Sequence, residues 1–115
     1  MNITSEMTGD LQILTVQEKR IDAVAAIQFK DTVRELTAQH DAGVVLDLSQ
    51  VEFIDSSGLG AIVASMKQLG KERPLHLAGL TPIVSKVFAL TRMERVFKIF
   101  KSPQDALQPN EAKSA

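Results

Sequence analysis

The chain of 115 residues contains no cysteine, no tryptophan and no tyrosine. Without cysteine there is no disulfide framework, and no thiolate to serve as nucleophile or metal ligand. Without Trp and Tyr the side chains that most often build stacking sites are missing, and the five Phe are assigned mostly to the core. Excess charge is lacking too. Thirteen basic and fourteen acidic residues leave a net charge of −1, which is not the electrostatic footprint of a nucleic-acid binder. No stretch approaches the ~18 apolar residues of a membrane span. Met1 to Asp10 has neither the basic start nor the apolar run of a secretion signal. The expectation is a cytoplasmic protein with no direct contact to nucleic acid or membrane.

What is present suffices for one core. A hydrophobic content of 44% in a chain of this length fits a single domain that buries about two thirds of its unfolded surface. Ile3 to Val16 alternates at short period around Gly9-Asp10, which reads as two strands joined by a turn. From Asp22 the spacing becomes helical: Ala26, Phe29, Val33 and Leu36 recur three and four apart up to about His40, before Gly43. Val44 to Leu48 is a nearly continuous β-branched run, as expected of a central strand covered on both faces.

A second helical stripe, Leu59, Ile62, Val63, Met66 and Leu69, runs to Gly70. Pro74 to Ala78 reads as a strand. Thr81-Pro82 caps a third helix with Ile83, Val84, Val87 and Leu90 on its apolar face. Val96 to Phe100 is a last strand candidate, and Ser102 to Asp105 opens a terminal helical turn. The four Met are assigned to the core. The order is β-β-α-β-α-β-α-β with a short closing α, which predicts a single α/β domain. Its sheet is mainly parallel or mixed, with four to five strands and three to four helices. The domain is expected over residues 1–108, with 109–115 as a flexible tail.

In open α/β sheets, sites form where the carboxyl end of a strand feeds a helix N-terminus. Ile54 to Gly60 is such a junction. Asp55, Ser56 and Ser57 place a carboxylate and two hydroxyls at a helix start whose free N–H groups favour negative charge. All three residue types are also ordinary N-caps. A phosphoryl group added here would bring about −1.5 to −2 charges, which the helix terminus and the Gly58 and Gly60 amides could hold. Ser57 is expected to be the cap, and Asp22 a cap for the first helix. His40 and His76 have no ligand pattern around them and are assigned to surface or strand packing. Arg92, Glu94 and Arg95 read as a solvated charged face. A hydrolase would need a nucleophile elbow and an oriented histidine, and the sequence has no G-x-S-x-G.

The run Val44 to Gly60, VVLDLSQVEFIDSSGLG, resembles the signature of STAS-domain anti-sigma factor antagonists. The resemblance extends to Arg20-Ile21-Asp22-Ala23 and to Gly79-Leu80-Thr81-Pro82 with Val87-Phe88 and Leu90-Thr91. Lys19 stands where the family usually has glycine.

The resemblance implies a STAS fold and a phospho-switch module, not an enzyme, with no cofactor and no metal. It implies phosphorylation at Ser56, with Ser57 as the lesser alternative. The partner would be an anti-sigma factor with GHKL-type serine kinase activity, bound by the unmodified form so that the sigma factor is released. A phosphoserine phosphatase would reset the switch. The partner-binding residues it implies are Asp22, Asp55, Ser56, Ser57, Gly58, Leu59 and Gly60. A STAS adaptor in another signalling or stress-sensing complex, or in a lipid-transport system, is the alternative role.

Overall fold

A computed structural model of the chain describes residues 1–107; the expected tail and the end of the expected domain lie outside them. Strands β1 (Ile3–Thr8) and β2 (Leu11–Val16) form the expected hairpin, turned at Gly9 with φ +61°. A two-residue strand β3 (Arg20–Ile21) precedes helix α1 (Ala23–Thr37), followed by β4 (Gly43–Asp47). A second two-residue strand, β5 (Phe53–Ile54), leads into α2 (Ser56–Leu69), then β6 (Leu75–Ala78) and α3 (Pro82–Leu90). A 3-10 turn at Met93–Arg95, β7 (Ile99–Phe100) and α4 (Pro103–Leu107) complete the described chain.

The main sheet has the order β1-β2-β4-β6-β7, with β1 antiparallel and the rest parallel. It is the mixed five-stranded sheet expected. Alternate side chains divide its two faces: Leu14, Val16, Val44, Leu46, Leu75 and Leu77 join the core cluster that also holds Phe29, Ile62 and Phe88 of α1, α2 and α3. Ile13, Val45 and Ala78 face the other way, where Ala106 and Leu107 of α4 pack. Val44 and Val45 are both fully buried, so the continuous apolar run of β4 does mark a strand covered on two sides.

Several readings change. The last strand is only Ile99–Phe100, because Met93 to Arg95 coil into a 3-10 turn entered through Arg92 at φ +62°. Helix α1 stops at Thr37, where the Thr37 hydroxyl donates back to the Val33 carbonyl at 2.7 Å. Ile83 and Leu90 of the third stripe are 60% and 75% exposed, since nine residues give α3 room to cover the core only with Val84, Val87 and Phe88. Met7 lies exposed on the edge strand β1, outside the core.

A second sheet, β3 with β5, was not foreseen. Two residues per strand carry no readable period, yet this parallel pair, Arg20 against Phe53 and Ile21 against Ile54, aligns the starts of α1 and α2. Its packing is close. Ile21 and Ile54 are both buried, and the Lys19 carbonyl accepts from the Glu52 and Phe53 amides at 2.7 and 3.1 Å.

Candidate phosphoacceptor site at paired helix N-termini

The β3–β5 pairing sets Asp22 and Asp55 side by side, each extended and each the N-cap of the helix that follows. Asp22 Oδ1 accepts from the Ala25 amide at 3.2 Å, as expected of a cap. Asp55 does more. Its Oδ1 accepts from the Gly58 amide at 2.9 Å, and its Oδ2 accepts from the Ala23 amide at 3.2 Å, across 32 residues of sequence. One carboxylate therefore satisfies amides at two helix N-termini, and its charge sits at the positive end of both.

Glycine is required at position 58. A Cβ there would stand 1.9 Å from the Ile21 carbonyl oxygen and 2.9 Å from Ile54 Cγ1. Helix α2 thus lies against β3 backbone to backbone, which makes the Asp55 bridge possible. At Gly60 a Cβ would meet nothing within 4 Å. That exposed glycine leaves the helix surface bare one turn beyond Ser56.

Ser56 and Ser57 are the first two residues of α2 and both are exposed. This corrects the capping assignment: Asp55 is the cap and Ser57 is not. It also corrects the expected anion donors. The Gly58 amide is already taken by Asp55, and the Leu59 amide donates to the Asp55 carbonyl at 2.9 Å. The first-turn amides left to an anion are those of Ser56 and Ser57. Gly58 and Leu59 are buried, so they hold the helix in place, while Ser56, Ser57 and Gly60 offer surface.

Charge and apolar surface flank the hydroxyls. The Arg20 guanidinium lies 4.5 Å from the centre of the Phe53 ring and its Nε is 3.3 Å from Asp22 Oδ2. The Ala25 amide holds the Asp22 carboxyl below its usual range, with Arg20 adding to the effect and desolvation opposing it. Val24 and Ile27 are 87% and 66% exposed on the first turns of α1, and Ile83 is exposed at the start of α3. All stand at the edge where the sheet's strands feed the helices. Val24 and Ile27 fall off the Ala26, Phe29, Val33 stripe, a signal that was present in the helical spacing. Lys19, in place of glycine, adopts no positive φ, so the loop it starts needs no glycine here.

The remaining expected sites are apart. His76 lies on β6 with its ring edge-on to Phe100 at 5.7 Å, and desolvation, aided by the Lys98 charge, lowers its pKa. Thr81 occupies the cap position of α3, but its hydroxyl donates to the Val51 carbonyl at 2.7 Å and makes no cap hydrogen bond. Among the described residues no three His, Asp or Glu side chains gather in a way that could hold a metal, and no helix is long and apolar enough to cross a membrane.

The STAS domain family profile matches residues 2–106. The chain is a STAS-domain protein. A STAS-domain containing protein of Pseudomonas aeruginosa is 35% identical, over 86% of this chain and 99% of its own length. The anti-sigma-B factor antagonist of Listeria monocytogenes is 28% identical, over 97% of this chain and all of its own. Among solved structures, an anti-sigma factor antagonist from Mycobacterium paratuberculosis superposes with a TM-score of 0.82 at 27% identity, covering 92% and 90% of the two chains. In fold and in sequence this STAS domain is therefore similar to proteins named as antagonists of anti-sigma factors.

Proposed function

We propose that this STAS-domain protein is an anti-sigma factor antagonist, a regulatory binding module switched by phosphorylation of Ser56. The observation that carries the reading is the geometry of that serine. Its hydroxyl is exposed at a helix start, beside a carboxylate that is fully engaged in holding two helices together. The unmodified form binds an anti-sigma factor with GHKL-type serine kinase activity, and the sigma factor is released. Arg20, Phe53, Val24, Ile27 and Ile83 frame the docking edge with exposed apolar area and one cation. Gly60 lets the partner's surface come close to Ser56.

Phosphate on Ser56 adds close to two negative charges at this edge. The domain accommodates them with the Ser56 and Ser57 amides and the dipole of α2. The partner does not, because burying an unpaired charge costs several kcal/mol, and a loss of ~3 kcal/mol already weakens binding more than a hundredfold. A phosphoserine phosphatase restores the binding form. The switch is local, without refolding of α2.

Recovery of the chain's partner from its native cell, followed by phosphopeptide mapping with that partner and ATP, tests the assignment. Label at Ser56 is expected; label only at Ser57, or at neither, overturns it. Ser56→Asp is expected to lose partner binding at an almost unchanged melting temperature, and Ser56→Ala to bind permanently. A partner with no kinase or anti-sigma activity would favour the adaptor role instead.

A further inference from the structure

The opposite end of α2 carries a second feature, at the edge where the strands begin. A groove of about 530 Å³ opens there between the last turns of α2, the start of β6 and the residues before β7. Met66, Leu75 and Val96 supply its apolar surface, and Val96 is 46% exposed. Three lysines rim it: Lys67, Lys71 and Lys98. No carboxylate of the described residues lines it, and the two ion pairs found among them, Arg20–Asp22 and Arg34–Asp31, lie elsewhere. Lys98 Nζ lies 5.4 Å from the centre of the Phe100 ring, which does not line the groove, so Lys67 and Lys71 are the two cations without such a tether.

We propose that this groove binds a single-chain amphiphile with an anionic head, of the type of a free medium-chain fatty acid. The size falls in the range of small-molecule sites, about 300 to 1,000 Å³. It is too small to seat a protein helix of several turns. A lysine side chain joins an aliphatic stem to a charged end that seeks water, a chemistry that matches an apolar chain ending in a carboxylate. A nucleotide fits poorly, because the one ring in the lining, His76, is packed edge-on against Phe100 and presents no stacking platform. The site is distinct from the Ser56 edge: fourteen residues of helix, about 20 Å, separate the two ends of α2.

Decanoate, octanoate and 1-decanol, each below its aggregation limit, are the probes for calorimetry and amide chemical-shift mapping on the full chain. Decanoate is expected to bind and to shift residues 66–76 and 96–98. Each methylene buried is worth about fourfold in affinity, so octanoate, two methylenes shorter, should bind around fifteenfold more weakly. Lys67→Met with Lys98→Met should weaken decanoate about three- to tenfold and leave 1-decanol unchanged. Val96→Asp, which changes a half-exposed side chain and should fold with a parent-like melt, is expected to abolish binding. No decanoate binding, equal affinity for octanoate, equal affinity of the parent for 1-decanol, or shifts at residues 53–63 would each overturn the proposal. So would adsorption to anionic vesicles without binding of monomeric decanoate, which would mark a membrane-facing surface.

Discussion

Helices α2 and α3 start at the same edge of the sheet, each just after a strand, and they are anchored by opposite means. At α2 the cap side chain serves the helix: Asp55 takes the Gly58 amide and reaches across to Ala23. At α3 the cap side chain serves the loop: Thr81 turns back to the Val51 carbonyl, and the helix relies on Pro82 to set its first turn. The difference separates a junction under geometric constraint from one that only needs to be tethered. Two backbones touch at Gly58, so small errors there move both helices and the serines between them. Ahead of Thr81 the close approach is milder: a Cβ at Gly79 would come to 3.0 Å from a carboxylate oxygen of Asp47 and meet no backbone closer than 3.5 Å.

The largest effect that would break this contrast is expected at Gly58. Gly58→Ala places a methyl group 1.9 Å from the Ile21 carbonyl oxygen, and because the obstacle is backbone the helix itself must move. A loss of about 3 kcal/mol, the upper end of overpacking, should appear in urea denaturation. Gly60→Ala, two positions on, meets only open space and should stabilise by up to about 1 kcal/mol. If the two alanine variants melt together, α2 does not rest on β3 as described.

Next comes the bridge itself. Asp55→Ala removes acceptors for two amides and is expected to cost about 2 kcal/mol, while Thr81→Ala, which frees one carbonyl at a half-exposed site, should cost about 1 kcal/mol. Ser57→Ala should cost less than about 0.5 kcal/mol, since Ser57 caps nothing. Chemical denaturation of the three variants ranks them. A Ser57→Ala loss as large as that of Asp55→Ala would restore Ser57 as the cap.

That last pair marks where the sequence could and could not be read. The succession of main-sheet strands and helices along the chain and the two-sided burial of β4 were legible because period and β-branching depend on neighbours a few residues apart. So was the junction, which the run from Val44 to Gly60 places by resemblance. The choice of cap was not: Asp55, Ser56 and Ser57 are all cap formers, and the third amide that decides among them belongs to Gly58, fixed by contact with Ile21. Nor could local spacing reveal a bond between residues 23 and 55, or a sheet two residues wide. Both depend on how distant segments meet.

The smallest expected effect concerns pH, and it sharpens the contrast between the tied edge and the sheet interior. Asp22 is held below the ordinary carboxylate range by the Ala25 amide first and by Arg20, so the folded state releases this proton more readily than the unfolded chain. Its stabilisation is complete above the ordinary value of 3.8 and disappears as pH falls through the lowered one. His76 works at a higher pH. Desolvation beside Phe100, with the Lys98 charge, depresses its pKa below 6.5, so between that depressed value and 6.5 the unfolded chain binds more protons. Stability should therefore decline as pH drops below about 6.5, and level off once the folded state also takes up the proton. His76→Gln should flatten this upper step and leave the acid step of Asp22, whereas Asp22→Asn should do the reverse. Melting curves of the two variants from pH 3 to pH 8 check the separation, and a His76→Gln profile that still declines between pH 6.5 and 5 would assign the upper step to another group.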